Sequence, residues 1–191
     1  MKRMWVVGIG FVVVLTVVSS GCRRGWPVSY DRRCAENLIK MEFELEVVLS
    51  SSEAGREELF DSVAYGEDAL IWMANHGFTD TGWLICPLDQ RPDASKWRRA
   101  SIKDITSASI SYSTWKWSAT NVDYLRTSLD TPLIWDKWPN HKGKRMVVMC
   151  AGPTKLMDEN DFESVMQPVR EHLKELERPP ATPASVDKSG Q

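Results

Sequence analysis

Asp136, Asn140 and His141 are side chains close together in the sequence whose types could bind a ligand or catalyse a reaction. Oxygen ligands from a strand end and a tight turn can converge on a hard cation. A histidine beside a carboxylate can also act in acid–base catalysis. The alternative is a polar turn in which Asp136 and Asn140 cap backbone groups while His141 bonds locally. We favour the turn, and predict no metal site, because these residues do not form a recognised metal-ligand pattern.

Other catalytic patterns are missing from the sequence. It contains neither a Gly-x-Ser-x-Gly elbow, nor a glycine-rich phosphate loop, nor a Cys-x-x-Cys pair, and it has only three histidines. We therefore expect no cofactor, assign no catalytic residue and predict that the protein is not an enzyme. A hydrolase using His141 and Asp136 is the alternative.

Tryptophan is frequent, with nine residues in the chain. Trp115 and Trp117 belong to an alternating stretch, and alternation would place both rings on one face of a strand. Such a pair could stack on the sugar rings of a cell-wall glycan or bind a partner protein. The interpretation that we favour is that these rings are core residues covering a helix.

The N-terminus has the pattern of an export signal. Lys2 and Arg3 precede an apolar run over residues 4–18, which is too short for a membrane-spanning helix and typical of a cleavable signal peptide. Ser20 and Gly21 then lead directly to Cys22. We expect the signal to comprise residues 1–21.

The small residues before Cys22 resemble a lipobox, the site of lipoprotein signal peptidase, although Ser19 stands where that motif usually has leucine. The resemblance implies that Cys22 carries diacylglycerol and a third acyl chain such as palmitate. Two or more acyl chains give a lasting membrane anchor. The expected location is therefore the cell envelope, outside the cytoplasm, with membrane lipid as the partner of Cys22.

Three cysteines remain beyond Cys22, so at most one intramolecular disulfide can form. Cys150 ends an apolar stretch and is most simply a buried core thiol. Cys34 and Cys86 are then the candidate pair for a disulfide.

The charge balance gives little reason to expect a nucleic-acid partner. The whole chain has a formal charge of −2, and loss of Lys2 and Arg3 with the signal leaves 22 basic and 26 acidic residues, a charge of −4. Nucleic-acid binding domains usually carry a basic patch instead.

The mature chain is long enough for one domain. We expect an anchor and linker at residues 22–28, a single domain at 29–177 and a disordered, proline-rich tail at 178–191.

The hydrophobic pattern predicts an α+β fold with a long N-terminal helix packed on a small antiparallel sheet, and a C-terminal helix. Predicted helices are 29–49, 57–64, 67–75 and 160–177, the last with a kink or a new start at Pro168. Predicted strands are 83–86, 110–117, 133–135, 144–150 and 154–157.

Four stretches of the chain, spanning about residues 31–162, together resemble the type IV pilin-like proteins with a prepilin-type His-x9-Asp-Gly domain. They are Cys34-Ala-Glu-Asn-Leu-Ile-Lys, Cys86-Pro-Leu-Asp89, Ser109-Ile-Ser-Tyr112-Ser, and the segment from Thr131 through Asp136 and His141 to Gly152. The resemblance implies a pilin-like fold with a structural or binding role.

Two departures from the family pattern matter. Ala151 stands where the family has the aspartate of Asp-Gly, so a metal site cannot be carried over. The Phe-Thr-Leu-x-Glu segment with which pilins assemble does not precede Cys22. We therefore expect a lipid-tethered, non-catalytic envelope protein with an envelope protein or cell-wall glycan as partner, and a glycan-binding module using the tryptophan face as the alternative.

Overall fold

The computed structural model describes residues 30–178, except for Ser52, Ala64 and Ala151. The expected signal peptide, the expected lipidation site Cys22, the expected linker and nearly all of the expected tail lie outside the described residues. Among the described residues, no helix combines the length and the apolar character needed to cross a bilayer.

Helices precede, separate and follow the strands. The α-helices are α1 (Tyr30–Leu49), α2 (Glu53–Ser62), α3 (Gly66–Asn75), α4 (Ala94–Trp97), α5 (Val122–Thr127) and α6 (Glu159–Leu176). Two short 3-10 helices span Thr81–Leu84 and Ile102–Asp104.

One antiparallel sheet contains four strands in the order β1 (Tyr112–Thr114), β2 (Pro132–Asp136), β3 (Arg145–Met149) and β4 (Lys155–Met157). Tyr112 pairs with Asp136, and Trp135 pairs with Val147. Every residue of β2 is buried, as is typical of a central strand with both faces covered. The described chain is therefore an α+β fold with a small antiparallel sheet, as the sequence predicts.

Helix α1 contacts β2 and β3. Its buried residues Cys34, Leu38, Met41, Leu45 and Val48 recur at steps of three and four, so they form one apolar stripe. Burying this stripe against the sheet creates the main core and brings Cys34 close to the ends of the strands.

Helix α3 begins directly on the backbone of β1. A Cβ atom on Gly66 would lie only 1.7 Å from the carbonyl oxygen of Thr114. Glycine is therefore required at this helix start, because any side chain would push α3 away from the sheet.

Several predicted elements differ from the observed ones. The predicted strand 83–86 is replaced by the 3-10 helix Thr81–Leu84, whose first turn is capped by Asp80 through the Gly82 backbone N–H at 2.7 Å. The predicted strand 110–117 is reduced to Tyr112–Thr114. Helix α5 was not predicted.

The new helix start that was one of two expectations at Pro168 is wrong, because α6 is one helix from Glu159 to Leu176 with Pro168 inside it. Pro168 is exposed, whereas Phe162, Met166 and Val169 are buried on the opposite side. Burial of apolar residues on both sides of the proline favours a single helix despite the lost backbone donor.

Candidate functional site

The turn between β2 and β3 directs His141 into the core. Lys142 and Gly143 have positive φ angles of 56° and 82°. This reversal lets His141 N–H donate to Lys144 O at 3.0 Å and Lys144 N–H donate to His141 O at 3.2 Å. The imidazole is only 1% exposed as a result.

His141 lies between two carboxylates from distant parts of the chain. Its Nδ1 is 2.6 Å from Oδ1 of Asp31 in the first turn of α1, and its Nε2 is 3.1 Å from Oδ2 of Asp136 at the end of β2. Asp136 is fully buried, and its Oδ2 also accepts the Met146 backbone N–H at 2.8 Å. Within the described part of the chain, its Oδ1 has no hydrogen-bond partner.

Two buried thiols complete this arrangement. The sulfurs of Cys34 and Cys86 and a ring nitrogen of His141 all lie within 4.8 Å of one another. Cys86 Sγ is 3.7 Å from His141 Nε2 and accepts the Leu88 backbone N–H at 3.4 Å. We call Cys34, Cys86, Tyr112, Asp136 and His141 the buried cluster, since the Tyr112 hydroxyl donates to Cys34 Sγ at 3.4 Å.

The cysteines of the predicted disulfide are free thiols in the structure. The two sulfurs nevertheless lie within 4.8 Å of each other, because Cys34 on α1 packs against Cys86 in the loop after the first 3-10 helix. Cys150 is also a free, buried thiol, and its Sγ lies 3.0 Å from the carbonyl oxygen of Arg126.

Burial and hydrogen bonding act in opposite directions on the charged members of the cluster. Burial lowers the pKa of His141, but its bonds to Asp136, Cys86 and Asp31 outweigh that effect and raise the pKa to about 10. Burial raises the pKa of Asp136, opposed by its bond to His141. A proton is therefore retained between Nε2 and Oδ2 at neutral pH.

The Cys86 thiol is not an activated nucleophile in this arrangement. Its hydrogen bond with Cys34 and its burial both raise its pKa far above the ordinary value, so the thiol stays protonated at neutral pH. Because the thiolate is the reactive form, cysteine-based catalysis has no support here.

A second buried polar group lies beside the cluster. Asp89 is fully buried, accepts the Ser111 hydroxyl at 2.6 Å and pairs with Arg91 at 2.7 Å. Arg91 also donates to the carbonyl oxygens of Ala108 and Ser109. This network ties the loop after Cys86 to the residues that precede β1.

The local polar turn favoured from the sequence is only partly correct: Asp136 accepts the Met146 backbone N–H, but the His141 side chain bonds the distant Asp31 as well as Asp136. Asp136 and His141 are in contact, as described above. Asn140 differs: its backbone N–H donates to Trp138 O, while its side-chain Nδ2 is buried without a hydrogen-bond partner among the described residues.

Trp115 and Trp117 are core residues, as the favoured interpretation of the sequence predicts, and they do not form the exposed stacking face of the alternative. Both residues lie beyond the end of β1, and they are only 8% and 0% exposed. Trp115 Nε1 donates to the carbonyl oxygen of Pro132, and Trp117 Nε1 donates to the Thr114 hydroxyl oxygen. Packing in the core therefore leaves little ring surface free to stack on a sugar.

A separate pocket of about 310 Å³ lies beside α1 and is lined by Glu42, Glu46, Arg126 and Cys150, among others. Arg126 pairs with Glu46 at 3.0 Å. Burial, with a smaller contribution from the charge of Glu46, raises the pKa of Glu42 to about 7. No local pattern in the sequence predicts this pocket, because its lining residues come from α1, α5 and the strands.

The convergence of Cys34, Cys86, Tyr112 and Asp31 around His141 was not predicted from the sequence. The available signal was that Cys34, Cys86, Tyr112 and His141 each lie in one of the four stretches that resemble a single family.

No protein-family model, curated protein or solved structure matches this chain.

Proposed function

We propose that this chain is an exported lipoprotein, held to a membrane by acyl chains on Cys22, with a non-catalytic structural or binding role in the cell envelope. Its described domain is proposed to be pilin-like. The order of basic residues, apolar run, small residues and cysteine at the N-terminus supports the lipid anchor.

The observation that carries the non-catalytic role is the burial of the residues that could do chemistry. The side chains of His141 and Asp136 are 1% and 0% exposed, and Cys34 and Cys86 are fully buried. A substrate could reach them only if the elements that cover them moved apart. Their geometry therefore supports a role in holding the domain together.

The four stretches that resemble the pilin-like family support the same conclusion. They lie far apart in the sequence, yet each contributes at least one member of the buried cluster: Cys34, Cys86, Tyr112, and Asp136 with His141. A shared structural purpose would account for four such separated motifs. The lipid anchor would then replace the segment used for filament assembly, so the domain is tethered rather than polymerised.

The anchor is tested by expressing the full chain in a bacterial host and determining the mature N-terminus by mass spectrometry. We expect the chain to begin at an acylated Cys22 and to fractionate with membranes. Cys22→Ala should abolish acylation, whereas the matched variant Cys150→Ala should remain acylated. A mature chain that starts elsewhere, or an uncleaved signal, would reject the lipoprotein.

The structural role is separated from the hydrolase alternative by His141→Ala, using deletion of the gene to define a phenotype. A structural His141 predicts that the variant melts at a lower temperature and loses the phenotype in parallel. Loss of the phenotype with an unchanged melting curve would instead support catalysis.

A further inference from the structure

We propose that Cys34, Cys86 and His141 bind a zinc ion in the core of the domain, and that Asp136, which contacts His141 but lies outside this three-residue group, moves in as the fourth ligand. The two sulfurs and a ring nitrogen already lie within 4.8 Å of one another, and all three residues are buried. Zinc would displace the proton of the Cys86 thiol and the proton held at His141 Nε2 on binding, and soft thiolates combined with imidazole favour zinc over calcium or magnesium.

The spacing of the donor atoms agrees with a tetrahedral centre. Zinc binds sulfur at about 2.3 Å and nitrogen at about 2.0 Å, which separates the two donors by roughly 3.5 Å in a tetrahedron. Cys86 Sγ and His141 Nε2 are 3.7 Å apart. The pair could therefore bind the ion with only a small movement of side chains.

The surrounding hydrogen bonds are those of a metal-binding histidine and thiolate. His141 Nδ1 lies 2.6 Å from Asp31, and a carboxylate on the distal ring nitrogen is the usual device that orients a zinc-binding imidazole. The Leu88 N–H points at Cys86 Sγ, and the Tyr112 hydroxyl points at Cys34 Sγ. Both donors would stabilise negative charge on sulfur.

Asp136 is the carboxylate in contact with the nitrogen that would bind the metal, at 3.1 Å from Nε2. It is fully buried, and no described residue hydrogen-bonds its Oδ1. Binding a cation would satisfy a carboxylate that is otherwise incompletely paired in the core.

A site with four protein ligands has no open position for water or substrate, so the ion would be structural rather than catalytic. It would connect α1, the loop after the first 3-10 helix and the two ends of the β2–β3 turn. Because such a site does not exist in the unfolded chain, zinc binding would stabilise the fold directly.

The test uses the full chain purified with its anchor in detergent and without chelators. Native mass spectrometry and elemental analysis should find about one zinc ion per chain. Cys34→Ser and Cys86→Ser should each lose the ion, whereas Cys150→Ser, a matched change of a buried thiol outside the cluster, should keep it. A chelator should lower the melting temperature of the parent chain and of Cys150→Ser.

A second measurement applies even if the serine variants do not fold. Replacement of zinc by Co²⁺ in the parent chain should give thiolate-to-cobalt charge-transfer absorption, and Cys150→Ser should give the same spectrum. Peptide mapping after alkylation under denaturing conditions should recover Cys34 and Cys86 as alkylated thiols. The zinc site would be overturned if the parent protein contains no metal and gives no cobalt spectrum. A Cys34–Cys86 disulfide in the chain purified from the cell envelope would overturn it as well.

Discussion

The guanidinium of Arg91 donates hydrogen bonds to both carboxylate oxygens of Asp89, which lies two residues earlier in the chain. Its Nε lies 3.1 Å and 3.0 Å from the two carboxylate oxygens, and its Nη2 lies 2.7 Å from Oδ2. The guanidinium also packs on the ring of Trp138, 4.0 Å from the centroid. This pair connects the Cys86 loop to the residues before β1, so it should contribute substantially to stability.

Asp89→Asn should lower the free energy of unfolding by about 2–4 kcal/mol, because removing the charge leaves a partly buried guanidinium without its partner. Chemical denaturation at neutral pH measures the change. Asp130→Asn alters an exposed aspartate and should change stability by less than about 0.5 kcal/mol. Equal stability of the two variants would show that the Asp89–Arg91 pair adds nothing.

The same pair should give the fold an acid-sensitive component. Burial raises the pKa of Asp89, but its hydrogen bonds to Arg91 and Ser111 outweigh burial and hold it below the ordinary value of 3.8. The stabilisation of the folded state by the Asp89–Arg91 pair is therefore complete above about pH 4 and is lost as the pH falls through the folded-state pKa of Asp89. Denaturation curves recorded between pH 2 and 5 should show that the free energy of unfolding falls more steeply with decreasing pH in the parent chain than in Asp89→Asn.

Glu42→Gln should stabilise the protein at pH 8 by about 1–2 kcal/mol, a value reduced for partial exposure to solvent. The folded-state pKa of Glu42 is raised from 4.5 to about 7, so the unfolded chain loses this proton first. The parent chain therefore loses stability as the pH rises through that interval, and the variant should not. Glu57→Gln, at an exposed position of α2, is the control, and an equal pH dependence in all three chains would contradict the prediction.

Gly66→Ala should destabilise the domain by about 3 kcal/mol or more, since the new Cβ would overlap the Thr114 carbonyl oxygen. Thermal melting measures the effect. Gly82→Ala is the milder comparison, because its Cβ would approach only the side-chain oxygen of Asp80, at 3.1 Å, and displacing that oxygen would cost no more than its cap, about 1 kcal/mol. A Gly66→Ala variant that melts with the parent chain would show that α3 does not lie this close to β1.

Trp117→Ala should lower the free energy of unfolding by about 3–5 kcal/mol, as expected when a fully buried aromatic ring leaves a cavity. Tyr65→Ala removes a ring that is 69% exposed and should have little effect. Retention of the variants on purified cell wall provides the second readout. Unchanged melting together with lost retention would restore the glycan-binding alternative.

The α+β class could be predicted from the sequence because it follows from local periodicity. The steps of three and four between Cys34, Leu38 and Met41 are visible without any tertiary information, and they match a helix that packs one face on a sheet. The strand at Arg145–Met149 was similarly evident from its apolar run. Short segments were harder to predict. Trp83 and Leu84, for example, have residue types typical of a strand but lie in a 3-10 helix capped by Asp80.

The sequence by itself determined the fold class and the residue types available for the candidate site, since periodicity and composition are local properties. Only the tertiary structure decided which of those residues meet. His141 contacts Cys86 across 55 positions and Asp31 across 110. The tertiary structure also showed that Trp115 and Trp117 are core residues, because the packing of β1 against its neighbours decides which rings are buried. Such contacts depend on how α1 and the β2–β3 turn pack together, which no local pattern encodes.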